Sequence, residues 1–198
     1  MDPVVGVDQA FWYIFVVSIV LLAGITAVMI FFVVKYRRSK NPIPSDIRDN
    51  WKLELIWTIV PTLIALSMFW VGWSSYTGLR NVPDEALEVE VIGQMFSWIF
   101  VYDNDKETEN ELVVPVNTPI KLNIESIDVI HSFFIPAFRV KVDAVKGLPT
   151  FLWFLPKEVG EFDILCAEYC GTEHSYMTAK LNVVSQERYD EWLEEEDD

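Results

Sequence analysis

The segment Phe11–Val34, FWYIFVVSIVLLAGITAVMIFFVV, decides the fold class of the N-terminal part, because none of its 24 residues is charged. As a helix rising 1.5 Å per residue it would extend about 36 Å, enough to cross a hydrocarbon core of about 30 Å. No basic region precedes it, and it exceeds the apolar stretch of a signal peptide. Since it also lacks a polar face, we predict a membrane-spanning helix rather than a cleaved leader or a helix buried in a soluble core.

A second uncharged run of 22 residues, Leu55–Tyr76, follows after a short connection. Pro61 lies near its start, where a helix tolerates the loss of a backbone donor better than at its centre. The two runs together predict a transmembrane helical hairpin that occupies residues 1–78.

The charges around the two runs indicate their orientation. Asp2 and Asp8 precede the first run, and the connection between the runs is basic. Its cationic residues are Lys35, Arg37, Arg38, Lys40, Arg48 and Lys52. The positive-inside rule places this connection in the cytoplasm. We therefore predict a two-pass integral membrane protein whose termini, and whose domain of residues 79–198, are extracytoplasmic.

The negative charge of the protein lies in that outer domain. The whole chain of 198 residues has 15 basic and 30 acidic side chains, whereas residues 79–198 have 9 and 25, a net charge of −16. Nucleic acid is excluded as a partner, because phosphate binding needs a basic surface. Two cysteines are too few for a disulfide-rich scaffold.

From Glu88 onward the hydrophobic period changes to two, as in Ile120, Leu122 and Ile124. Further segments of this kind are Leu87–Ile92, Phe96–Tyr102, Leu112–Val114, Thr150–Leu155, Phe162–Cys166 and Met177–Val183. Short strands separated by proline and glycine predict a β-sandwich of about 110 residues. We expect Asp103–Glu111 to be an exposed hairpin loop, and Glu187–Asp198 a short helix that ends in an acidic run.

Five candidate metal ligands lie within twelve residues: Cys166, Glu168, Cys170, His174 and Met177. The other histidine of the chain, His131, follows Asp128-Val-Ile. Thiolates, imidazoles and a thioether suit copper better than calcium or magnesium. Two thiolates can bridge two copper ions, with one histidine terminal on each. Because bridged ions that share an electron change geometry little on reduction, this pattern predicts a one-electron relay.

Other interpretations of these residues stay open at this point. The pair Cys166 and Cys170 could form a disulfide outside the cytoplasm, although this would leave both histidines and Met177 unexplained. A structural zinc site is a second alternative. Taken singly, Met177 is typical of a core residue in phase with Ala179, and His131 is typical of a hydrogen-bonded core histidine.

The spacing Cys-x3-Cys-x3-His-x2-Met, with an upstream Asp-x-x-His, resembles the binuclear copper A motif of subunit II of cytochrome c oxidase, a haem–copper oxidase. The resemblance extends over nearly the whole chain. It implies a transmembrane α-helical hairpin followed by an all-β cupredoxin-like sandwich. It also implies that Cys166 and Cys170 bridge two copper ions, with His131 and His174 as terminal ligands.

By the same resemblance, Met177 is a weak axial ligand and the backbone carbonyl of Glu168 is another. The Glu168 side chain would contribute to a magnesium site shared with subunit I. Cytochrome c would give electrons to the copper pair, which would pass them to haem in subunit I for oxygen reduction coupled to proton translocation. The acidic outer domain suits a basic cytochrome c, and without a Cys-x-x-Cys-His motif the chain carries no c-type haem of its own.

Two further residues receive a role from the resemblance. Glu54, at the start of the second helix, would mark the cytoplasmic end of a proton pathway, or would only favour the helix dipole. Relatives carry a Trp-aromatic-Trp stretch whose first Trp accepts electrons, but here Phe96 stands at that place and Trp98 is retained. Trp98 is the candidate for this role, unless Phe96 faces the donor, the donor docks differently, or both rings only pack the sandwich.

Three rival functions are distinguishable from the sequence. A quinol oxidase subunit II has the same helices and sandwich but normally lacks the copper ligands that are present here. The electron-transfer domain of nitrous-oxide reductase shares the motif but lacks the helical hairpin. A membrane-anchored copper-delivery protein would bind a single, readily exchanged ion.

Overall fold

A computed structural model describes residues 3–43, 46 and 49–195 in two compact units, one of Val7–Ser75 and one that includes the described residues from Tyr76 on. Helices α1 (Pro3–Lys35) and α2 (Trp51–Arg80) contain the two predicted apolar runs. No residue of the most apolar stretch of either helix is buried, as lipid-facing helices require. Both helices are therefore long and apolar enough to cross a membrane, as predicted. Asp2 and Arg48, used for the orientation, lie outside the described residues.

Local contacts explain where α2 begins. Asn50 caps the helix, because its Oδ1 accepts the Leu53 N–H at 3.1 Å. Glu54 lies in the first turn, where a carboxylate opposes the positive end of the helix dipole. Pro61 is accommodated inside the helix. The helix continues to Arg80, two residues past the predicted boundary between the membrane anchor and the outer domain. The position of that domain boundary stays a prediction.

The outer unit is a sandwich of two five-stranded sheets, ordered β3-β2-β1-β5-β8 and β4-β10-β9-β6-β7. The first sheet comprises β1 (Leu87–Gln94), β2 (Ser97–Val101), β3 (Glu107–Glu109), β5 (Ile120–Ser126) and β8 (Thr150–Phe154). The second comprises β4 (Glu111–Pro115), β6 (His131–Ile135), β7 (Val140–Ala144), β9 (Gly160–Cys166) and β10 (Thr178–Val184). Single 3-10 turns lie at Pro136–Phe138 and His174–Tyr176, and helix α3 (Gln186–Glu194) follows the last strand.

The core lies between the two sheets and follows the predicted period of two. Leu122 of β5 and Leu181 of β10 are fully buried, while their neighbours along each strand turn outward. Three large aromatic side chains, Trp98, Phe100 and Phe133, are also fully buried. The predicted sandwich is therefore confirmed.

Several elements differ from the sequence predictions. The segment expected to be a hairpin loop, Asp103–Glu111, contains β3, an edge strand that pairs with β2 and has no apolar period to reveal it. Strands β6 and β7 were not predicted, although β7 alternates Val140, Val142 and Ala144 with charged residues. The predicted C-terminal helix is present, but residues 196–198 of its acidic run lie outside the described part of the chain.

The register of the second sheet brings distant residues to one end. Strand β9 is antiparallel to both β6 and β10, and Phe133 of β6 is paired with Cys166 of β9. The Ala167 N–H donates to the Ser132 carbonyl at 2.8 Å, and the Cys166 N–H to the Met177 carbonyl at 3.2 Å. The start of β6, the end of β9 and the approach to β10 therefore meet.

Candidate metal centre

Two buried, unbridged cysteines form the centre of this cluster. The Sγ atoms of Cys166 and Cys170 are 3.9 Å apart, far beyond the 2.03–2.05 Å of a covalent bond between sulfurs. Cys166 ends β9 and Cys170 lies in the loop that follows, so the strand fixes one sulfur and the loop returns the other to it.

Each cysteine has its own histidine and its own weak donor. Cys166 Sγ is 4.0 Å from His131 Nδ1 and 3.3 Å from the backbone carbonyl oxygen of Glu168. Cys170 Sγ is 3.6 Å from His174 Nδ1 and 3.7 Å from Met177 Sδ. The predicted donor atoms of all six residues are thus brought together as two sets of three.

This arrangement fits metal binding. Bonds from sulfur or nitrogen to a first-row ion such as zinc are about 2.0–2.3 Å long, so donors that share an ion lie within about 4.6 Å of each other. Cys166 Sγ meets this limit with Cys170 Sγ at 3.9 Å and with His131 Nδ1 at 4.0 Å, and the three donor atoms all lie within 4.8 Å of one another. Six donors exceed the four of a tetrahedral site, and their softness suits copper.

His131 belongs to the interior of the sandwich. It begins β6, is fully buried and has its ring at 5.8 Å from that of Trp98. Its Nε2 lies 2.8 Å from Asp128 Oδ1. Because an ionised carboxylate only accepts, Nε2 carries the proton and leaves the Nδ1 lone pair directed toward the sulfurs.

Asp128 is held from several sides. Its oxygens also accept the backbone N–H groups of Met95 at 2.7 Å and of Val129 at 2.6 Å. Burial raises the pKa of the Asp128 carboxyl, but the hydrogen bonds from His131, Met95 and Val129 outweigh burial and hold its pKa below the ordinary value. The carboxylate therefore stays ionised beside the imidazole.

The second histidine has different surroundings. His174 begins the 3-10 turn at His174–Tyr176 and is half-buried. Its ring lies 5.8 Å from the ring of Tyr169, an exposed residue of the same loop. The loop rather than the sheet therefore places this ligand.

Burial controls the protonation of the second thiol. Burial is the main cause, and the neighbouring Cys166 the second, of a rise in the pKa of Cys170 to about 11. Copper-free Cys170 therefore carries a proton at neutral pH, which a metal ion must displace.

The remaining predicted site residues lie apart from the donor cluster or at its edge. Trp98 is fully buried against His131, so its ring cannot make a surface contact with a docked donor, and any role as electron acceptor is restricted to the interior. Phe96 is half-buried in the turn between β1 and β2. The Glu168 side chain is exposed, and Glu54 lies in the first turn of α2. The roles of these residues stay predictions.

The sequence alone predicted no role for Asp128 or for two glycines that lie beside the donor cluster. A Cβ on Gly93 would lie 2.9 Å from Trp98 Cζ3 and 3.3 Å from His131 Cδ2. Gly171 has a φ of +145°, and a Cβ there would lie 2.9 Å from Phe96 Cε1. The position of Asp128 three residues before His131 was the available signal, whereas nothing local distinguished the glycines.

Two apolar helices, a β-sandwich and a cluster of cysteine, histidine and methionine donors define a membrane-anchored, cupredoxin-like protein of the copper-binding kind. Residues 3–74 match the sequence family described as the transmembrane domain of cytochrome c oxidase subunit II. Residues 102–184 match the family described as its periplasmic domain. The chain belongs to the cytochrome c oxidase subunit II family, and thus to the subunits of haem–copper oxidases.

Individual relatives agree with this assignment. The alternative cytochrome c oxidase subunit 2 of Bradyrhizobium diazoefficiens is 30% identical over 206 residues, which cover 86% of this chain and 74% of the relative. The crystal structure of the periplasmic domain of subunit II of cytochrome oxidase from Bradyrhizobium japonicum matches with a TM-score of 0.56 at 34% identity. That match covers 58% of this chain and 95% of the relative.

A second solved structure is a mixed disulfide intermediate between a thioredoxin-like protein and subunit II of cytochrome c oxidase. It matches with a TM-score of 0.52 at 31% identity, over 58% of this chain and 92% of that one. Both structural matches support the cupredoxin-like fold of the outer domain.

Proposed function

We propose that this chain is the electron-accepting subunit of a cytochrome c oxidase and that its outer domain holds two copper ions. The observation that carries the proposal is the pairing of donors around Cys166 and Cys170, whose sulfurs are 3.9 Å apart. Copper bound there would accept and release one electron at a time. The protein must hold the donors rigidly. Strands β6, β9 and β10 are neighbours in one sheet, so their hydrogen bonds fix the segments that carry His131, Cys166 and Met177 relative to one another.

Each donor has a distinct role in this proposal. The two cysteines would be shared by both ions, and the Nδ1 atoms of His131 and His174 would each hold one of them. Met177 and the carbonyl of Glu168 are the weak ligands, one in each set of donors. A single, readily exchanged ion of a copper-delivery protein would use only one such set, so the doubled arrangement favours the relay.

The electron donor in this proposal is a basic cytochrome c. The net charge of −16 on residues 79–198 would steer such a protein toward the outer domain and raise the association rate. Haem in subunit I would receive the electrons, and oxygen reduction coupled to proton translocation would follow there. If steering operates, the rate of electron delivery falls steeply as ionic strength rises. A flat salt dependence would contradict a diffusing donor and indicate one that is permanently bound.

The positive-inside pattern supports an orientation with both termini and the outer domain extracytoplasmic. The exposed Glu168 carboxylate would then face subunit I and contribute to a shared magnesium site. Glu54 would lie on the cytoplasmic side, at the start of a proton pathway. Glu54→Ala should slow turnover of the assembled complex, whereas Asp49→Ala, also exposed and just before α2, should not. Equal turnover of both variants would rule out this role for Glu54.

The thioredoxin-like partner of the relative suggests a partner for this chain as well. Two thiols 3.9 Å apart need to approach by only about 2 Å to form a disulfide in an oxidising compartment. A thioredoxin-like dithiol would reduce that disulfide through a mixed disulfide and become oxidised itself, leaving both cysteines free for copper.

Oxidation of reduced cytochrome c by the assembled, copper-replete oxidase tests the proposal. Cys170→Ser should reduce the rate to background, because a serine hydroxyl does not replace a bridging thiolate. The control is Ser175→Ala, at an exposed residue of the same loop that contributes no donor atom, and it should keep the wild-type rate. Wild-type kinetics in a correctly assembled Cys170→Ser oxidase would overturn the proposed function.

A further inference from the structure

The turn between β1 and β2 contacts two residues beside the ligands: Asp128, which hydrogen-bonds His131, and Gly171, which follows Cys170. This β1–β2 turn is formed by Gln94, Met95, Phe96 and Ser97. On one side, the Met95 N–H donates to Asp128 Oδ2 at 2.7 Å, while Asp128 Oδ1 accepts from His131 Nε2 at 2.8 Å. One carboxylate therefore joins the backbone of the turn to a ligand.

On its other side the same turn packs against the ligand loop. The Phe96 ring lies so close to Gly171 that a Cβ there would meet Cε1 at 2.9 Å and Cζ at 3.0 Å. Met95 Sδ would lie 3.7 Å from that Cβ. Because Gly171 directly follows Cys170, a shift of the turn would move the backbone beside Cys170 as well as the carboxylate beside His131.

The carboxylate between turn and ligand has little freedom. Besides the hydrogen bonds from Met95 and His131, it accepts the Val129 N–H at 2.6 Å. The ring it orients is confined as well, by Trp98 at 5.8 Å between ring centroids and by the backbone of Gly93. A hydrogen bond from a ligating histidine to a carboxylate fixes the ring and increases its basicity.

We propose that Asp128 is the positioning residue of His131 and that it couples the β1–β2 turn to the copper centre. The inference rests on the proposed copper role. The negative charge of Asp128 favours the more positive, oxidised state, so its loss makes the centre easier to reduce.

Asp128→Asn in the full-length, copper-loaded chain in detergent tests this coupling. We expect an equal copper content, a shift of about tenfold toward reduction, which is about 59 mV for one electron, and altered imidazole nitrogen coupling in pulsed electron paramagnetic resonance. The control, Asp163→Asn, removes the same charge from an exposed residue paired with Lys180 and should change neither property. Identical potentials and spectra for the two variants overturn the proposal, whereas a wild-type chain without copper overturns the proposed function instead.

Two further variants separate the turn from the carboxylate. Phe96→Ala should loosen the turn and shift the reduction equilibrium in the same direction by a smaller factor, with no further shift in the Asp128→Asn background. Fully additive shifts would refute the coupling.

If Asp128→Asn loses copper, the positioning role is tested instead by the His131 Nε2–H resonance of the copper-free chain. We expect slow exchange with water in the wild type and fast exchange in the variant, and equal exchange would contradict the positioning role.

Discussion

The two histidines of the centre have the same donor atom facing a cysteine but differ in how they are held. His131 is fully buried at the start of a central strand, between Asp128 and Trp98. His174 is half-buried in a 3-10 turn beside Tyr169, which is 75% exposed. The comparison shows one ligand built into the core of the sandwich and one placed by a loop at its edge.

The largest difference between the two histidines is expected when each is replaced by alanine. In the copper-free protein, His131→Ala should lower the free energy of unfolding by about 2–4 kcal/mol, because it leaves a cavity and removes one hydrogen bond from the Asp128 carboxylate. His174→Ala should cost less than about 0.5 kcal/mol, as at other sites near the surface. Chemical denaturation in detergent, followed by near-ultraviolet circular dichroism, measures both. Equal losses would contradict the division into a core ligand and a loop ligand.

Gly93 tests how tightly the surroundings of His131 are packed. Gly93→Ala would force a Cβ against Trp98 and His131, at 2.9 and 3.3 Å, and should cost about 1–3 kcal/mol by overpacking. The control is Gly160→Ala, at the start of β9, where a Cβ meets only Phe162 at an ordinary 3.6 Å. The same denaturation experiment compares them. A Gly93→Ala variant as stable as Gly160→Ala would show that the surroundings of His131 are not tightly packed.

The sequence predicts the loop half of the centre more readily than the core half, because the loop ligands are close together in the chain. Cys170, His174 and Met177 lie close in the chain, so their spacing alone indicates a site. His131 is 35 residues before Cys166, and only the pairing of β6 with β9 brings it there. No local pattern encodes that register, and the family resemblance supplied it.

A similar limit applies to the fold. Long uncharged runs and alternating strands such as Ile120–Ser126 were predictable, because burial dictates their composition. The edge strand Glu107–Glu109 was not, since it buries no apolar side chain. The role of Asp128 depends on where its two oxygens point, which tertiary contacts decide.

A smaller effect concerns pH and the loop half of the centre. The pKa of Cys170 is raised from 9.0 to about 11 in the folded protein, chiefly by burial. The folded state therefore favours the neutral thiol, so the stability of the copper-free chain is fully present below about pH 9 and declines as pH rises toward 11. Cys170→Ala should flatten this decline in a series of denaturation curves. An unchanged slope would mean that the thiol is not buried in the copper-free state.

The smallest effect is expected at the exposed tyrosines. Tyr169→Ala and Tyr176→Ala should each change stability by less than about 0.5 kcal/mol. The Tyr169 ring lies 5.8 Å from the ring of the ligand His174, so of these two substitutions Tyr169→Ala is the one that should alter the signal of the copper-loaded protein. Identical electron paramagnetic resonance spectra of the two variants would remove Tyr169 from the surroundings of His174.

Electron paramagnetic resonance combined with copper analysis of the full-length, copper-loaded chain tests the central claim most directly. We predict two copper ions per chain and the hyperfine pattern of one electron shared between two copper nuclei. A single ion with a localised electron, or a disulfide between Cys166 and Cys170 in the loaded protein, would contradict it.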